Sequence, residues 1–256
     1  MGYPHDILSS RAVIKHGNYA IVPPTGLVNN VVPGIENSIV SIVASPKMGA
    51  SFAQYIVTVN PGGGAHTLFA KEDGIESFIY TIEGEGVVGI GSESHAMKEG
   101  GYAFSPAGTG MTFVNKSNAP WRVVLYKQRY IPLEGYAAKA YVSNVNDFDY
   151  RIYDNMENVL VKDLLPAGTD LAYDMNFHIL SFKPGGCHPF IETHVQEHGA
   201  YILTGEGAYY IGEEWRMIKT GDFVWFGPYT TQGAYGVGRT DFTYVYSKDC
   251  NRDISL

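Results

Sequence analysis

The sequence predicts an all-β protein made of two consecutive modules of the same kind. Short β-favouring runs recur along nearly the whole chain, glycine-rich turns separate them, and the pattern of the first half begins again in the second half. Many short strands at regular spacing are typical of β sandwiches and β barrels. We therefore expect two consecutive β modules, each a sandwich or a barrel.

Composition narrows the class of protein. The 256 residues suffice for one large β domain or two of ordinary size, and a hydrophobic content of 45% indicates a folded chain. The formal net charge of −8 argues against a nucleic acid or an anionic membrane as partner, because a basic surface is missing. We expect a soluble acidic protein.

Few features point to the cell compartment. The two cysteines, Cys187 and Cys250, are too few for a disulfide framework. Residues 1–11 have no apolar core, Asp6 stands where a myristoylation signal on Gly2 needs serine or threonine, and no apolar run approaches membrane-spanning length. A reducing, cytoplasmic setting is the expectation.

The first half begins with an irregular arm. From Ala12 to about Pro33, apolar runs such as 19–22 alternate with prolines, which predicts extended segments that pair with a sheet. Strands are then predicted at residues 38–43, 51–59, 77–82, 87–90, 102–104, 111–114 and 121–126. Pro61–Gly64 and Gly84–Gly86 are predicted turns, and residues 136–150 a linker with room for one short helix.

The second half repeats these signals at a constant spacing. Gly205-Glu-Gly207 matches Gly84-Glu-Gly86, an offset of 205 − 84 = 121, and Lys219-Thr-Gly221 matches Lys98-Glu-Gly100 at 219 − 98 = 121. Such self-similarity indicates an internal duplication. We expect the first module to span residues 1–135, with the arm, and the second to span 136–256, with the linker.

One stretch of the second half suggests a metal site. Glu192 and His194 point the same way along an extended strand, and His198 returns from a turn with the same parity. One carboxylate and two imidazoles suit a divalent ion such as Mn, Fe or Zn. The offset carries these residues back to Lys71, Asp73 and Ser77, which cannot form this site. We therefore expect one metal site per chain, in the second barrel.

Two other interpretations compete for these residues. His194 to His198 also spells the inverted zinc-protease motif, which needs a helix, but Pro184 to Pro189 and the β-favouring run after His198 argue for strand, turn, strand. The second alternative is a hydrogen-bonded histidine pair beside a solvated glutamate. Three ligand types in a glycine-rich β pattern favour the metal.

The motifs resemble a known fold and family. Two β modules with Pro-Gly-Gly strand ends and Gly-Glu-Gly turns resemble the bicupin fold, two tandem double-stranded β-helix (jelly-roll) barrels. Glu192 takes the place of the first histidine of the usual cupin motif, His198 that of its glutamate, and Gln232 that of its last histidine. With segments 11–17, 191–202 and 246–253, this set resembles the (S)-ureidoglycine aminohydrolases of bacterial allantoin and purine catabolism.

The resemblance implies an activity and a set of site residues. It implies a Mn²⁺ enzyme, with other divalent metals as alternatives, that converts (S)-ureidoglycine and water to (S)-ureidoglycolate and ammonia. The implied metal ligands are Glu192, His194, His198 and Gln232. The implied substrate contacts are Tyr244 and Lys248, together with Glu192 and Gln232. Glu192 and Lys248 are the candidate catalytic groups, one to accept a proton from water and one to fix the carboxylate or protonate ammonia.

Other expectations remain open beside these. Another cupin enzyme, such as a dioxygenase or decarboxylase, and a non-catalytic bicupin that binds a small ligand are the alternative functions. Tyr209 and Glu197 are weaker candidates for the cavity wall, and His66 and His188 are expected to be loop or core histidines. We also expect a homo-oligomer, because cupins often pair through their outer sheets.

Overall fold

The computed structural model describes residues 10–254. The expectations that rest on residues 1–9, the lack of a leader peptide and of a lipid site at Gly2, lie outside this range. Within it the regular structure is almost entirely β, so the prediction of an all-β protein is confirmed. No described helix is long and apolar enough to cross a membrane.

Ten strands precede the middle of the chain. They are β1 (Val13–Lys15), β2 (Tyr19–Val22), β3 (Glu36–Ala44), β4 (Phe52–Phe69), β5 (Ile75–Glu83), β6 (Glu85–Ile90), β7 (Glu93–Lys98), β8 (Gly101–Ser105), β9 (Met111–Val114) and β10 (Trp121–Arg129). A 3-10 turn at Pro24–Gly26 follows the arm. The predicted runs all fall within these strands, apart from the first residue of 51–59.

Ten more strands follow in the second half. They are β11 (Tyr141–Asn144), β12 (Arg151–Tyr153), β13 (Met156–Asp163), β14 (Asn176–Phe182), β15 (His198–Thr204), β16 (Glu206–Ile211), β17 (Glu214–Lys219), β18 (Phe223–Phe226), β19 (Gln232–Val237) and β20 (Phe242–Lys248). Further 3-10 turns lie at Val145–Asp147 and Pro166–Gly168. The first of these is the only short helix of the predicted linker region, and β11 precedes it.

The duplication predicted from the sequence is present in the strands. β6 and β16 begin 206 − 85 = 121 residues apart, and β7 and β17 begin 214 − 93 = 121 residues apart. β10 and β20 keep the same offset, at 242 − 121 = 121. The two halves are therefore copies of one strand arrangement.

The two modules exchange segments at their edges. β2 pairs with β18 of the second half, so the arm completes the sheet β1-β2-β18-β15-β20-β14-β13-β12. In return, β11 pairs with β8 and closes one edge of the sheet formed by the first half. The arm pairs with a sheet as expected, and the division at residue 135 stays a proposal for where the two modules part.

One predicted turn is wrong. Pro61–Gly64 does not end a strand, because β4 continues through it to Phe69. The register of β4 against β3 slips there, from Ser38↔Val59 to Glu36↔Gly64, so the glycines form an irregularity within a strand that goes on to pair with β9. At Gly64, with φ +124°, a Cβ would stand 2.0 Å from the carbonyl oxygen of Phe113, which requires glycine.

Apolar side chains form three buried clusters. One fills the first barrel and includes Trp121 and Phe113, and another surrounds the inside of the second barrel. The third lies between the two barrels, where the rings of Phe78 and Phe177 stack at 3.8 Å. The two barrels are thus joined by an extensive buried apolar interface.

Candidate metal centre

The second barrel encloses a cavity of about 350 Å³. All six side chains singled out in the sequence line it: Glu192, His194, His198, Gln232, Tyr244 and Lys248. Their convergence follows from the fold, since they come from β15, β19, β20 and the segment before β15. Their roles as ligands and substrate contacts stay predictions.

The local chain path around the cluster is extended and not helical. Glu192 makes a single β bridge with Gln232, through a 2.9 Å bond from its N–H to the Gln232 carbonyl and a 3.0 Å bond in return. Two residues later His194 follows, and after a bend at Val195 the chain enters β15 at His198. This path excludes the zinc-protease helix and agrees with strand, turn, strand, although the first strand is only a bridge.

The four side chains meet around Nε2 of His194. This atom lies 3.3 Å from Nε2 of His198, 2.8 Å from the amide nitrogen of Gln232 and 3.9 Å from Oε1 of Glu192. His198 and Gln232 are buried, whereas the side chains of His194 and Glu192 keep 27% and 32% of their surface exposed. One side of the cluster therefore faces the cavity.

Backbone carbonyls fix the proton positions of both imidazoles. Nδ1 of His194 lies 3.0 Å from the carbonyl oxygen of Gln196, and Nδ1 of His198 lies 2.8 Å from that of Ser247. A carbonyl only accepts, so each Nδ1 carries the hydrogen and each Nε2 presents a lone pair. Two lone pairs facing each other at 3.3 Å repel unless a positive charge lies near both.

This arrangement fits a bound divalent cation. With metal–nitrogen bonds of about 2.1 Å, two ligands at right angles stand about 3 Å apart, close to the imidazole separation. A half-turn of the Gln232 amide directs its oxygen to the same place. Within residues 10–254, no three His, Cys, Asp or Glu side chains converge tightly enough to form a metal site on their own. Gln232 and Glu192 are the further candidate donors beside the two histidines, with Oε1 of Glu192 3.9 Å from Nε2 of His194.

Burial also keeps His198 ready to coordinate. Removal from water, aided by the neighbouring His194, lowers the pKa of His198 to about 3. The imidazole is therefore neutral near pH 7, which is the form that binds metals.

Tyrosines and a lysine form the wall beside the cluster. Tyr244 and Tyr209 share a 2.5 Å hydrogen bond between their hydroxyl groups, and burial raises the pKa of both. Lys248 lies at the end of β20, opposite Asn176 in the register with β14. Its ammonium is the candidate cation for an anionic substrate, and Tyr209 lines the cavity as the sequence suggested.

Some residues of the site were not identified from the sequence. His188, expected in a loop or core, is buried in the cavity wall with Nε2 3.6 Å from Oε2 of Glu192. His178 and Asp163 also line the cavity. The offset of 121 residues does not point to His178, because β14 is shifted against β4: Tyr246 pairs with His178, whereas its counterpart Leu125 pairs with Tyr55.

Glu197, by contrast, does not line the cavity. It turns towards the first barrel, where both carboxylate oxygens accept the N–H of Ser51 at 3.1 and 3.2 Å, and one also accepts the indole N–H of Trp225 at 2.9 Å. Its own N–H donates to Asp249 at 2.8 Å. Glu197 therefore holds the turn before His198 against the other module.

Comparisons with known proteins agree with this fold. A family model of the cupin domain matches residues 55–126, in the barrel without the ligand cluster. (S)-Ureidoglycine aminohydrolase of Escherichia coli is 47% identical over all of this chain and 97% of its own length. The crystal structure of protein Ylba from E. coli covers both chains fully at 45% identity and a TM-score of 0.88. An oxalate decarboxylase structure, 9% identical over 91% of this chain and 78% of its own, has a TM-score of 0.68 and supports the bicupin fold alone.

Proposed function

The chain belongs to the (S)-ureidoglycine aminohydrolase family of bicupins, and we propose that it is a Mn²⁺-dependent hydrolase that converts (S)-ureidoglycine and water to (S)-ureidoglycolate and ammonia. The observation that carries this proposal is the meeting of two imidazoles, a carboxylate and an amide in the cavity of the second barrel. As an enzyme the chain is a hydrolase of a carbon–nitrogen bond.

In this proposal Glu192, His194, His198 and Gln232 hold the metal. Nitrogen and oxygen donors without thiolates suit Mn²⁺, and other divalent ions are accepted by the same set. When bound, the ion supplies a Lewis acid that withdraws electrons from the substrate groups it contacts. The fixed Nδ1–H bonds of the two histidines keep their Nε2 atoms directed at one place.

The protein's own side chains handle the protons. Glu192, partly exposed on the cavity side, accepts a proton from the attacking water. The Lys248 ammonium pairs with the substrate carboxylate or protonates the departing ammonia. The Tyr244 hydroxyl, held by Tyr209, stays protonated because burial raises its pKa, and it can therefore donate a hydrogen bond to the substrate.

An ammonia-release assay tests this function. Purified protein loaded with Mn²⁺ should release ammonia from freshly generated (S)-ureidoglycine, should lose this activity with a chelator, and should regain it when Mn²⁺ is returned. Oxygen uptake, measured in parallel, should be absent. Ammonia release that a chelator leaves unchanged would contradict the metal, and oxygen or carbon dioxide chemistry without ammonia would favour another cupin enzyme.

Glu192→His separates holding the metal from proton transfer. Histidine is the usual cupin residue at this place, so the variant should keep its metal, measured by plasma mass spectrometry, and lose turnover. A metal-loaded and active variant would reject the role of Glu192 as base. A variant without metal would show that Glu192 acts as a ligand.

The cellular setting is part of the same proposal. We place the reaction in the cytoplasmic breakdown of allantoin and purines, and we expect a homo-oligomer with one metal site in each chain. The first expectation rests on the reaction of the family, and the second on the tendency of cupins to pair. Light scattering of the purified protein measures the oligomeric state directly.

A further inference from the structure

A second polar group lies on the cavity wall, away from the four-residue cluster. Asp163, His178 and Tyr246 occupy directly opposed positions on β13, β14 and β20. Directly opposed residues project from the same face of a sheet, and all three line the cavity. They form a row across β13, β14 and β20, and β20 pairs in turn with β15, the strand that begins at His198.

Stacked rings connect this row to the cluster. The His178 ring stacks on Tyr246 at 5.0 Å and 21°, and Tyr246 meets His198 edge-on at 5.0 Å. The His178 and His198 rings are therefore no more than about 10 Å apart. A ligand bound at the cluster is within reach of His178.

Asp163 determines which nitrogen of His178 carries the hydrogen. Its Oδ1 lies 3.0 Å from Nδ1 of His178, too far off the N–H direction for a regular hydrogen bond but so close that a lone pair on Nδ1 would face the carboxylate. Arg151 holds the other oxygen of Asp163 with bonds of 2.7 and 3.0 Å. A carboxylate accepts only, so Nδ1 keeps the hydrogen and Nε2 has the lone pair.

The charges agree with this assignment. The partnership with His178 and Arg151 outweighs burial and lowers the pKa of Asp163 to about 2, so Asp163 is a carboxylate. Burial lowers the pKa of His178, which keeps the imidazole neutral near pH 7. Among the described residues Nε2 of His178 has no hydrogen-bond partner, although it is buried. A buried acceptor without a partner is unfavourable, and a ligand N–H removes this cost.

The substrate of the proposed reaction has N–H groups at a suitable position. Its amine and carboxylate share one carbon, and its ureido group extends roughly 3.8 Å from that carbon, the span of one amide unit. His178 and Lys248 both line the cavity, so a substrate with its amine and carboxylate at the metal side, beside Lys248, would extend its ureido NH₂ towards the wall that His178 occupies. A neutral acceptor suits this uncharged donor.

We propose that His178, oriented by Asp163, is a specificity subsite whose Nε2 accepts a hydrogen bond from the terminal NH₂ of the ureido group. This inference rests on the proposed function and adds a part to it: it explains how the site distinguishes a ureido acid from a simple amino or hydroxy acid. Asp163 acts through His178 and is a positioning residue.

Binding of two acids to the Mn²⁺-loaded protein tests the subsite. (S)-Ureidoglycolate and glycolate carry the same carboxylate and hydroxyl and differ in the ureido group. Wild type should bind ureidoglycolate more tightly in calorimetry, and His178→Phe, which keeps an aromatic ring against Tyr246, should lose about tenfold of this affinity and none for glycolate. Equal loss for both acids, or no loss for either, overturns the proposal.

Asp163→Asn tests the proton position without removing the ring. The asparagine amide donates to Nδ1 and shifts the hydrogen to Nε2, so this variant should lose the ureido preference as His178→Phe does. The double variant should bind ureidoglycolate as tightly as His178→Phe alone, because the two substitutions remove the same interaction. KM for ureidoglycine should rise in each, with kcat changed less. His66→Phe, an exposed histidine of the first barrel, is the control and should match wild type.

The two proposals fail in different ways. If wild type releases ammonia from ureidoglycine but binds ureidoglycolate no better than glycolate, the subsite is overturned and the function stands. If wild type releases no ammonia yet His178→Phe selectively weakens ureidoglycolate, the subsite stands as a binding site and the aminohydrolase reaction is overturned.

Discussion

The two barrels share one strand arrangement and differ in what fills them. At the offset of 121 residues, the second barrel has polar or ionisable side chains where the first has small or apolar ones. The pairs are His198 and Ser77, Gln232 and Met111, Tyr244 and Val123, and Tyr246 and Leu125. All four members in the first barrel are fully buried. The first barrel is packed as a core, and the second keeps a cavity at the same place.

Both barrels keep a buried carboxylate at the contact between them. Glu76 and Glu197 are counterparts, since 197 − 121 = 76, and both are buried at the contact with the other barrel. Glu197 accepts the N–H of Ser51 from the first barrel. Glu76 accepts the side-chain N–H of Gln128, and burial, together with Asp174 of the second module, raises its pKa. The two barrels differ in the predicted metal ligands, but both have the carboxylate at the interface.

The largest expected difference between the barrels is in activity. His198→Ala should lose bound Mn²⁺ and at least about 100-fold in ammonia release, because it removes a ligand. Its matched variant Ser77→Ala removes a buried hydroxyl that has no hydrogen-bond partner among residues 10–254, and it should keep wild-type activity. Metal content and turnover are measured on both. Equal losses would mean that the first barrel is also a functional site.

A reciprocal exchange tests the packing. Met111→Gln buries an amide in the apolar barrel without partners, which costs about 3 kcal/mol and lowers the melting temperature by roughly 10 °C. Gln232→Met adds apolar volume to the cavity and should weaken metal binding without lowering the melting temperature of the metal-free protein. Comparable melting shifts for the two variants would remove the distinction between a packed barrel and an open one.

Removing the contact between the first barrel and the turn before His198 should have a smaller effect. Glu197→Ala leaves the Ser51 N–H and the Trp225 indole N–H without their acceptor. We expect Mn²⁺ affinity to fall about tenfold, as for other groups that orient metal ligands. Competition with a metal-binding dye measures this affinity. An unchanged affinity, with a lower melting temperature alone, would limit Glu197 to a structural role.

The smallest effect is a pH dependence of stability at Glu76. Burial and Asp174 raise the pKa of Glu76, so the folded state keeps a proton that the unfolded chain releases above about pH 4.5. This contribution to stability is present at low pH and is lost as pH rises through the raised pKa. Glutamine does not titrate, so Glu76→Gln removes this loss of stability at high pH. The variant should be about 1 kcal/mol more stable than wild type at pH 8, and the difference should close towards pH 4.5. A difference that is constant with pH would contradict it.

The sequence alone predicted the elements that carry local signals. β3, β5 and β10 follow from their β-favouring runs, and the two histidines and Glu192 from their alternation before a glycine-rich turn. Strands such as β7 and β17 were not predicted, because charged and polar residues on their exposed faces hide the pattern. Turn signals at Pro61–Gly64 were misleading, since the irregularity depends on the neighbouring strands β3 and β9.

The residues that only a long-range contact brings to the site could not be found this way. Gln232 was identified through the family resemblance, since glutamine alone is a weak ligand signal. His178 and Asp163 lie 15 residues apart and meet only through the pairing of β13 with β14. The orientation of Glu197, away from the cavity, depends on a contact with Ser51 across the two barrels.

The exchanged arm has a consequence for how the protein is made. β2 must pair with β18, which the ribosome delivers about 200 residues later. At 5–20 residues per second, the arm waits roughly 10 to 40 s with an unpaired edge. The pairing of β2 with β18 therefore joins two segments that are made far apart in time, and truncating the arm leaves the second barrel unfinished.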